Sequence, residues 1–331
     1  LLSVFFPILS GLFLLIRYRM PLAKEKKNTD RKTLLTLTGC FLVITVLLCA
    51  AARSTAGNSF TLFYLTKTLP ICFKIDEVGV LFSLLSSVVL PCAGFFSFEY
   101  MKHEEREGRY YGYYMIMFGV LNGLCFAGNL ITFYLFFELL TLSSMPLVLH
   151  NGSREAIMAG LKYLFYSLCG AYGALYGIYF VCQNSDTLAF TAGGILKTSS
   201  VSQHGEFLLF TAFVMILGFG VKAGMFPMHA WLPTAHPVAP APASAVLSAV
   251  IVKAGVLAIC RIVYYVFGTG FLNDTWVQTV WIILTLVTVF MGSMLAYREP
   301  VLKKRLAYST VSQISYILFG LAVMDADSLT G

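Results

Sequence analysis

The sequence predicts an all-α polytopic membrane protein. Three observations carry that prediction. Of the 331 residues 58% are hydrophobic, only 12% are charged, and apolar runs of span length recur from end to end. Soluble domains lie nearer half apolar and a quarter charged, and a helix that crosses a bilayer needs about 20 apolar residues. Ten such runs are read, at roughly 1–18, 33–52, 77–98, 111–128, 130–149, 156–182, 207–232, 242–267, 275–297 and 306–323. The hydrocarbon core offers no hydrogen bonds, so each run must satisfy its own backbone as a helix. A bundle of about ten transmembrane helices is expected.

The first run has no A-x-A-like cleavage site after it, so it reads as a span and not as a cleaved signal. Leu1 is not a methionine and the end, DADSLTG, follows directly on a span, so a fragment at both ends is expected. With the N-terminus outside, the inner connections hold seven Lys/Arg in 17–32, three in 99–110, Arg154, and four in 298–305. The outer ones hold Arg53, Lys67, Lys74 and Lys197. This asymmetry is the positive-inside pattern and orients the chain. It also accounts for the net charge of +7 without a nucleic-acid partner. Connections are short except 53–76 and 183–206, and the second, Ser-, Gly- and Thr-rich, is where a strand or hairpin is expected.

No cofactor and no metal are expected. The eight cysteines lie in or beside apolar runs without C-x-x-C or zinc spacing, and they read as small buried hydrophobes. GFGVKAG carries one residue too many for a dinucleotide fingerprint and lies inside a span.

The chemistry lies with the few ionisable groups at membrane depth. Fifteen of the sixteen acids fall in loops, at span ends or in the tails, whereas Glu138 is ninth in its run. Lys222 lies inside LGFGVKAGMFPMHAWLP, and Lys253 is twelfth in its run. Lys162 and Arg261 lie near run ends, from which long side chains can snorkel to water. A midplane charge costs about 2.5–3.5 kcal/mol, so three of them need a reason. One inert ion pair would absorb Glu138 and a single lysine, and would leave the second lysine unexplained. Proton work accommodates all three. Burial can bring a lysine from about 10.4 toward neutrality. A carboxylate at ~4 Å contributes on the order of 4 kcal/mol the other way. A lysine whose carboxylate approaches and withdraws therefore takes up and releases a proton near pH 7. Glu138 and Lys222 are the expected switch and Lys253 the next acceptor.

Gly218, Gly220 and Gly224 weaken the helix around Lys222, and Pro227 removes a donor, so the seventh span is expected to be broken there. Broken helices with freed carbonyls are where transporters place their sites. His229 and His236 flank the inner end of this break and titrate near neutrality, which suits a relay or gate. Lys162, Ser244 and Ser248 are further candidates for the relay or gate. Ala245, Ala249 and Lys253 are four residues apart, a stripe that leaves room for water or a close helix. Ser309, Ser312, Gln313 and Ser315 suggest that the tenth span packs inward.

FFELLTLSSMPLVLH, GFGVKAGMFPMHAWLPTAHPVAPAPASAVLSAVIVKAGVLAICRI and LAYSTVSQISYIL resemble the antiporter-like membrane subunits of respiratory complex I, Mrp-type cation/proton antiporters and membrane-bound hydrogenases. The resemblance runs from about residue 76 to 323. It implies that the fifth-span glutamate, the seventh-span lysine and the eighth-span lysine, here Glu138, Lys222 and Lys253, act in proton translocation. It also implies a fourteen-helix fold with two inverted five-helix repeats, spans 4–8 and 9–13. This chain would then divide into 1–110 (spans 1–3), 111–267 (the first repeat, as translocating core) and 268–331 (the start of the second). Two stretches, FFELLTLSSMPLVLH and LKKRLAYSTVSQISYI, are slightly closer to the Mrp-type and hydrogenase members. The implied partners are other membrane subunits, protons, sodium in the antiporter members, and the bilayer. The rival reading is a structural membrane anchor with inert buried ion pairs.

Overall fold

The computed structural model describes residues 1–18, 27–55, 57–66 and 69–324. The inner connection expected at 17–32 therefore lies partly outside the described residues, as do Lys67 and the DADSLTG end. The apolar runs fold as helices: α1 Leu2–Arg17, α2 Lys27–Arg53, α3 Glu77–Tyr100, α4 Glu107–Cys125, α5 Leu130–Val148 and α6 Arg154–Gln183. Next come α7 Thr198–Ala223 and the short α8 Leu232–Val238. The eighth span is a composite of α9 Ala241–Val246, a π-helical stretch π1 Leu247–Ile251, α10 Val252–Cys260 and a second stretch π2 Arg261–Phe267. The described chain ends with α11 Thr269–Leu272, α12 Trp276–Arg298 and α13 Leu302–Val323.

Among the described residues eight helices are long and apolar enough to cross a membrane, and α1, at 16 residues, is a shorter apolar helix. The fourth run is α4, whose tyrosines, Arg109 and Asn122 dilute its apolar character. It is buried along most of its length, so Tyr110, Tyr111, Tyr114 and Asn122 face protein and not lipid. Polar side chains set several helix starts. Asp76 caps α3 by accepting the Gly79 N–H at 2.9 Å. Asn129 accepts from Thr132 at 2.7 Å, and Ser153 from Ala156 at 3.1 Å.

Two compact units organise these elements. The first comprises Leu1–Gly128, Leu135–Gly160 and Val238–Val250. In it α1 packs closely on α4 because Gly11 and Gly112 meet without side chains. A methyl group on Gly11 would lie 2.5 Å from the Gly112 carbonyl oxygen. Small residues at such contacts are how membrane helices approach without a hydrophobic drive between them. Arg31 joins three helices, donating Nε to both Glu107 carboxylate oxygens (2.8 and 3.0 Å) and Nη2 to the Phe98 carbonyl at 2.7 Å. The hairpin of this protein also lies here, in the 53–76 connection and not in 183–206. Strand β1 (Ser59–Thr66) pairs antiparallel with β2 (Leu69–Lys74), with Ser59 opposite Lys74. SFTLFYLT is rich in β-branched and aromatic residues, which favour a pleated strand. In 183–206 only isolated bridges form, and α7 already begins at Thr198.

The second unit comprises Asn129–Tyr134, Leu161–Pro237 and Ile251–Gly331. Here α6 and α7 meet at Gly170 and Gly218, where an added methyl on Gly218 would lie 2.6 Å from the Gly170 carbonyl oxygen. Helices α12 and α13 form an antiparallel pair, with the Ser293 and Ser312 hydroxyls 2.8 Å apart. Ser312 and Ser315 face inward as expected of the tenth span, but Gln313 is exposed. The cysteines need a similar correction. Cys49, Cys125 and Cys260 are buried, whereas Cys40, Cys92 and Cys169 lie on exposed helix faces where lipid is the natural neighbour.

Candidate functional site

Lys222 sits in the last turn of α7 and is 1% exposed. The helix runs unbroken through Gly218 and Gly220, so those two glycines do not break it. Gly218 serves close packing instead, and Gly220 leaves space for the Met225 side chain. The interruption falls at Gly224, whose φ of 75° is a left-handed conformation that few other residues adopt without strain. Pro227 follows, and helical backbone resumes only at Leu232.

The break frees carbonyls at the end of α7. Two of them are taken by protein donors: Gly220 O accepts the Met225 N–H at 3.0 Å, and Val221 O accepts the Trp231 indole N–H at 2.8 Å. The Phe226 N–H is held by Thr288 Oγ1 of α12 at 3.0 Å. The non-helical stretch 224–231 is therefore anchored to its own unit.

The second lysine reaches the same neighbourhood through a glycine. Lys253 lies half-buried on α10, two residues before Gly255. An added methyl on Gly255 would lie 2.4 Å from the backbone nitrogen of Ala223, the residue after Lys222. The two lysine-bearing helices thus touch backbone to backbone beside the break. The stripe of Ala245, Ala249 and Lys253 assumed a regular α-helix. The backbone is π-helical over Leu247–Ile251, and such wide turns are frequent at functional sites.

On the other side of the break, α8 is gripped at two points. Lys162 Nζ donates to Thr234 Oγ1 at 3.0 Å, and Lys303 Nζ donates to the Pro237 carbonyl at 3.3 Å. Lys303 thereby caps the negative end of this short helix. His236, 3% exposed, and His229, half-buried with its ring stacked on Phe226, sit on and just before α8. Lys162, Lys222, His229, His236 and Lys253 all belong to the second unit. Glu138, half-buried in α5, and Ser244 and Ser248 belong to the first.

Arg261 does not snorkel. It is 0% exposed, with its guanidinium 5.0 Å from the ring centroids of both Phe190 and Tyr265. Arginine is more weakly hydrated than lysine and stacks on aromatic faces, which makes such burial tolerable. Trp231, Thr234, Lys303 and Phe190 are the site neighbours that sequence reasoning missed. Trp231 carried one available signal, an indole donor within reach of a helix end that must release carbonyls. In the sequence Lys303 is one of four basic residues in the 298–305 connection, with nothing local to mark its contact with α8.

Residues 127–331 match the family described as NADH:quinone oxidoreductase/Mrp antiporter, TM. The Na(+)/H(+) antiporter subunit A1 of Staphylococcus aureus, strains JH9 and Newman, is 34% identical over 251 residues, covering 75% of this chain and 30% of the relative. The chain therefore spans less than a third of the length of these curated relatives. Two solved structures share its fold at 21% identity. The Mrp complex from Dietzia sp. DQ12-45-1b superposes with a TM-score of 0.79 over 97% of this chain and 58% of the other. The membrane-bound sulfane sulfur reductase, an archaeal respiratory membrane complex, does so with 0.76 over 97% and 64%.

Proposed function

Because the chain belongs to the NADH:quinone oxidoreductase/Mrp antiporter transmembrane family and is an integral membrane protein, we propose that it is a proton-translocating subunit of a multisubunit membrane complex. Protons pass through Glu138, Lys222 and Lys253. His229, His236 and Lys162 gate the inner side, with Ser244 and Ser248 along the route. The observation that carries this reading is Lys222, an ammonium group 1% exposed at the end of an interrupted helix. The helix bearing Lys253 lies in contact with its last turn. A buried lysine costs too much to serve as filler, and its proton is the one thing it can exchange.

In this reading the complex is an Mrp-type antiporter that exchanges protons for sodium. The likeness to a curated Na(+)/H(+) antiporter subunit favours it. The membrane is a bacterial inner membrane, with the N-terminus outside and the basic loops cytoplasmic. A second reading, the membrane arm of a redox-driven complex, draws on the fold shared with an archaeal respiratory complex.

The test uses the full-length protein in its complex. Lys222→Ala should abolish proton-coupled transport, and so should Lys222→Arg, because arginine does not release its proton. Lys253→Ala should also impair transport. Native gels should show assembly intact. Normal transport by Lys222→Arg would remove lysine deprotonation from the mechanism and leave a structural anchor.

A further inference from the structure

We propose that the outward-facing groove between α2 and α3 binds one anionic phospholipid, its acyl chain in the groove and its phosphate on Lys32 and Lys102. The groove is open along its length and has a volume of about 580 Å³. Thr36, Gly39 and Val43 of α2 line one wall, and Phe95 and Phe98 of α3 line the other. Gly39 lies on the α2 wall, where an added methyl would meet the Phe98 and Phe95 rings at 3.7 and 3.8 Å, so a larger side chain there would fill the groove.

The ends of the groove differ. Arg31 Nη2 donates to the Phe98 carbonyl at 2.7 Å, so the start of α2 and the end of α3 lie together at one end. The Arg31 charge is matched there by Glu107. Lys32 is exposed and lies four residues before Thr36, on the same helix face as the groove wall. Lys102 lies four residues after Phe98, in the turn that follows α3. Its ion pair with Glu99, at 3.6 Å, is exposed on both partners (55% and 80%), and such surface pairs exchange readily. An apolar slot thus ends at two ammonium groups on the end of the bundle that carries the excess of basic residues. That is the charge order of an anionic phospholipid, chain first and phosphate last.

The experiment is native mass spectrometry of the intact complex released from vesicles containing equal phosphatidylglycerol and phosphatidylcholine. Wild type should retain phosphatidylglycerol preferentially. Lys32→Gln and Lys102→Gln should each reduce that preference, by about fivefold per lysine near the surface, and Gly39→Leu should release the bound lipid. A second measurement does not depend on how well those variants assemble. Cys40 lines the groove and is exposed. A benzophenone attached to Cys40, with the remaining cysteines replaced, should cross-link phospholipid upon irradiation. Equal retention of the two lipids by wild type, an unchanged preference in the double lysine variant, or a cross-link to polypeptide would each overturn the proposal.

Discussion

At the scale of single residues, the molecule is defined by charges placed where solvation is poor. Lys222 stood out in the sequence because an ammonium group inside an apolar run costs about 2.5–3.5 kcal/mol, and the structure buries it. Arg261 reads like an interfacial arginine in sequence, yet it is fully enclosed. One of the rings that stack on it, Phe190, comes from 71 positions upstream, a pairing no local pattern announces. Under the proposed function, Glu138 decides which charge state Lys222 holds. Glu138→Gln should therefore stop turnover while assembly survives, and Glu138→Asp should keep partial activity, its shorter side chain pulling less strongly. Transport against pH in vesicles for wild type and both variants measures this. Full activity in Glu138→Gln with an unchanged pH profile would return Glu138 to a structural role.

At the scale of elements, the interruption of the seventh span is set by a single left-handed residue, Gly224, with Trp231 and Thr288 holding the chain beyond it. The contact between α7 and α10 rests on Gly255. Gly255→Val would push its side chain into the Ala223 backbone, which cannot move as a flexible side chain could. Overpacking of this kind costs about 1–3 kcal/mol. The variant should lower the thermal stability of the assembled complex, and transport should fall more steeply than stability, because the two lysine-bearing helices are forced apart. Melting curves and vesicle transport on the same preparation separate the two effects. A Gly255→Val complex with wild-type transport would show that the close approach of α10 to Lys222 is not needed.

At the scale of the whole molecule, the basic connections set the expected orientation. A cysteine replacing Lys27 in a cysteine-free background should react with an impermeant maleimide only from the cytoplasmic face. Labelling from outside would reverse the assignment, along with the side on which His229 and His236 meet the protons. The same reversal would place the Lys32–Lys102 end of the lipid groove in the outer leaflet.

The sequence by itself determined that the chain crosses a membrane as helices, where most of those helices lie, and which acid and which lysines sit among apolar residues. Each follows from one local rule, that backbone and charge are expensive in hydrocarbon, and local rules can be read along a chain. Tertiary structure alone decided which glycines break a helix and which only let helices approach. Gly218 and Gly224 lie six residues apart, and only the fold shows Gly170 across from the first and a left-handed backbone at the second. It also decided that the hairpin forms in the first long connection. There β2 finds backbone partners at the end of α4, with Lys74 N–H on the Phe126 carbonyl at 2.8 Å and Gly128 N–H on the Cys72 carbonyl at 2.9 Å. The physical reason is the same in each case: a close contact or a strand pairing depends on what another part of the chain presents, and sequence spacing does not record it.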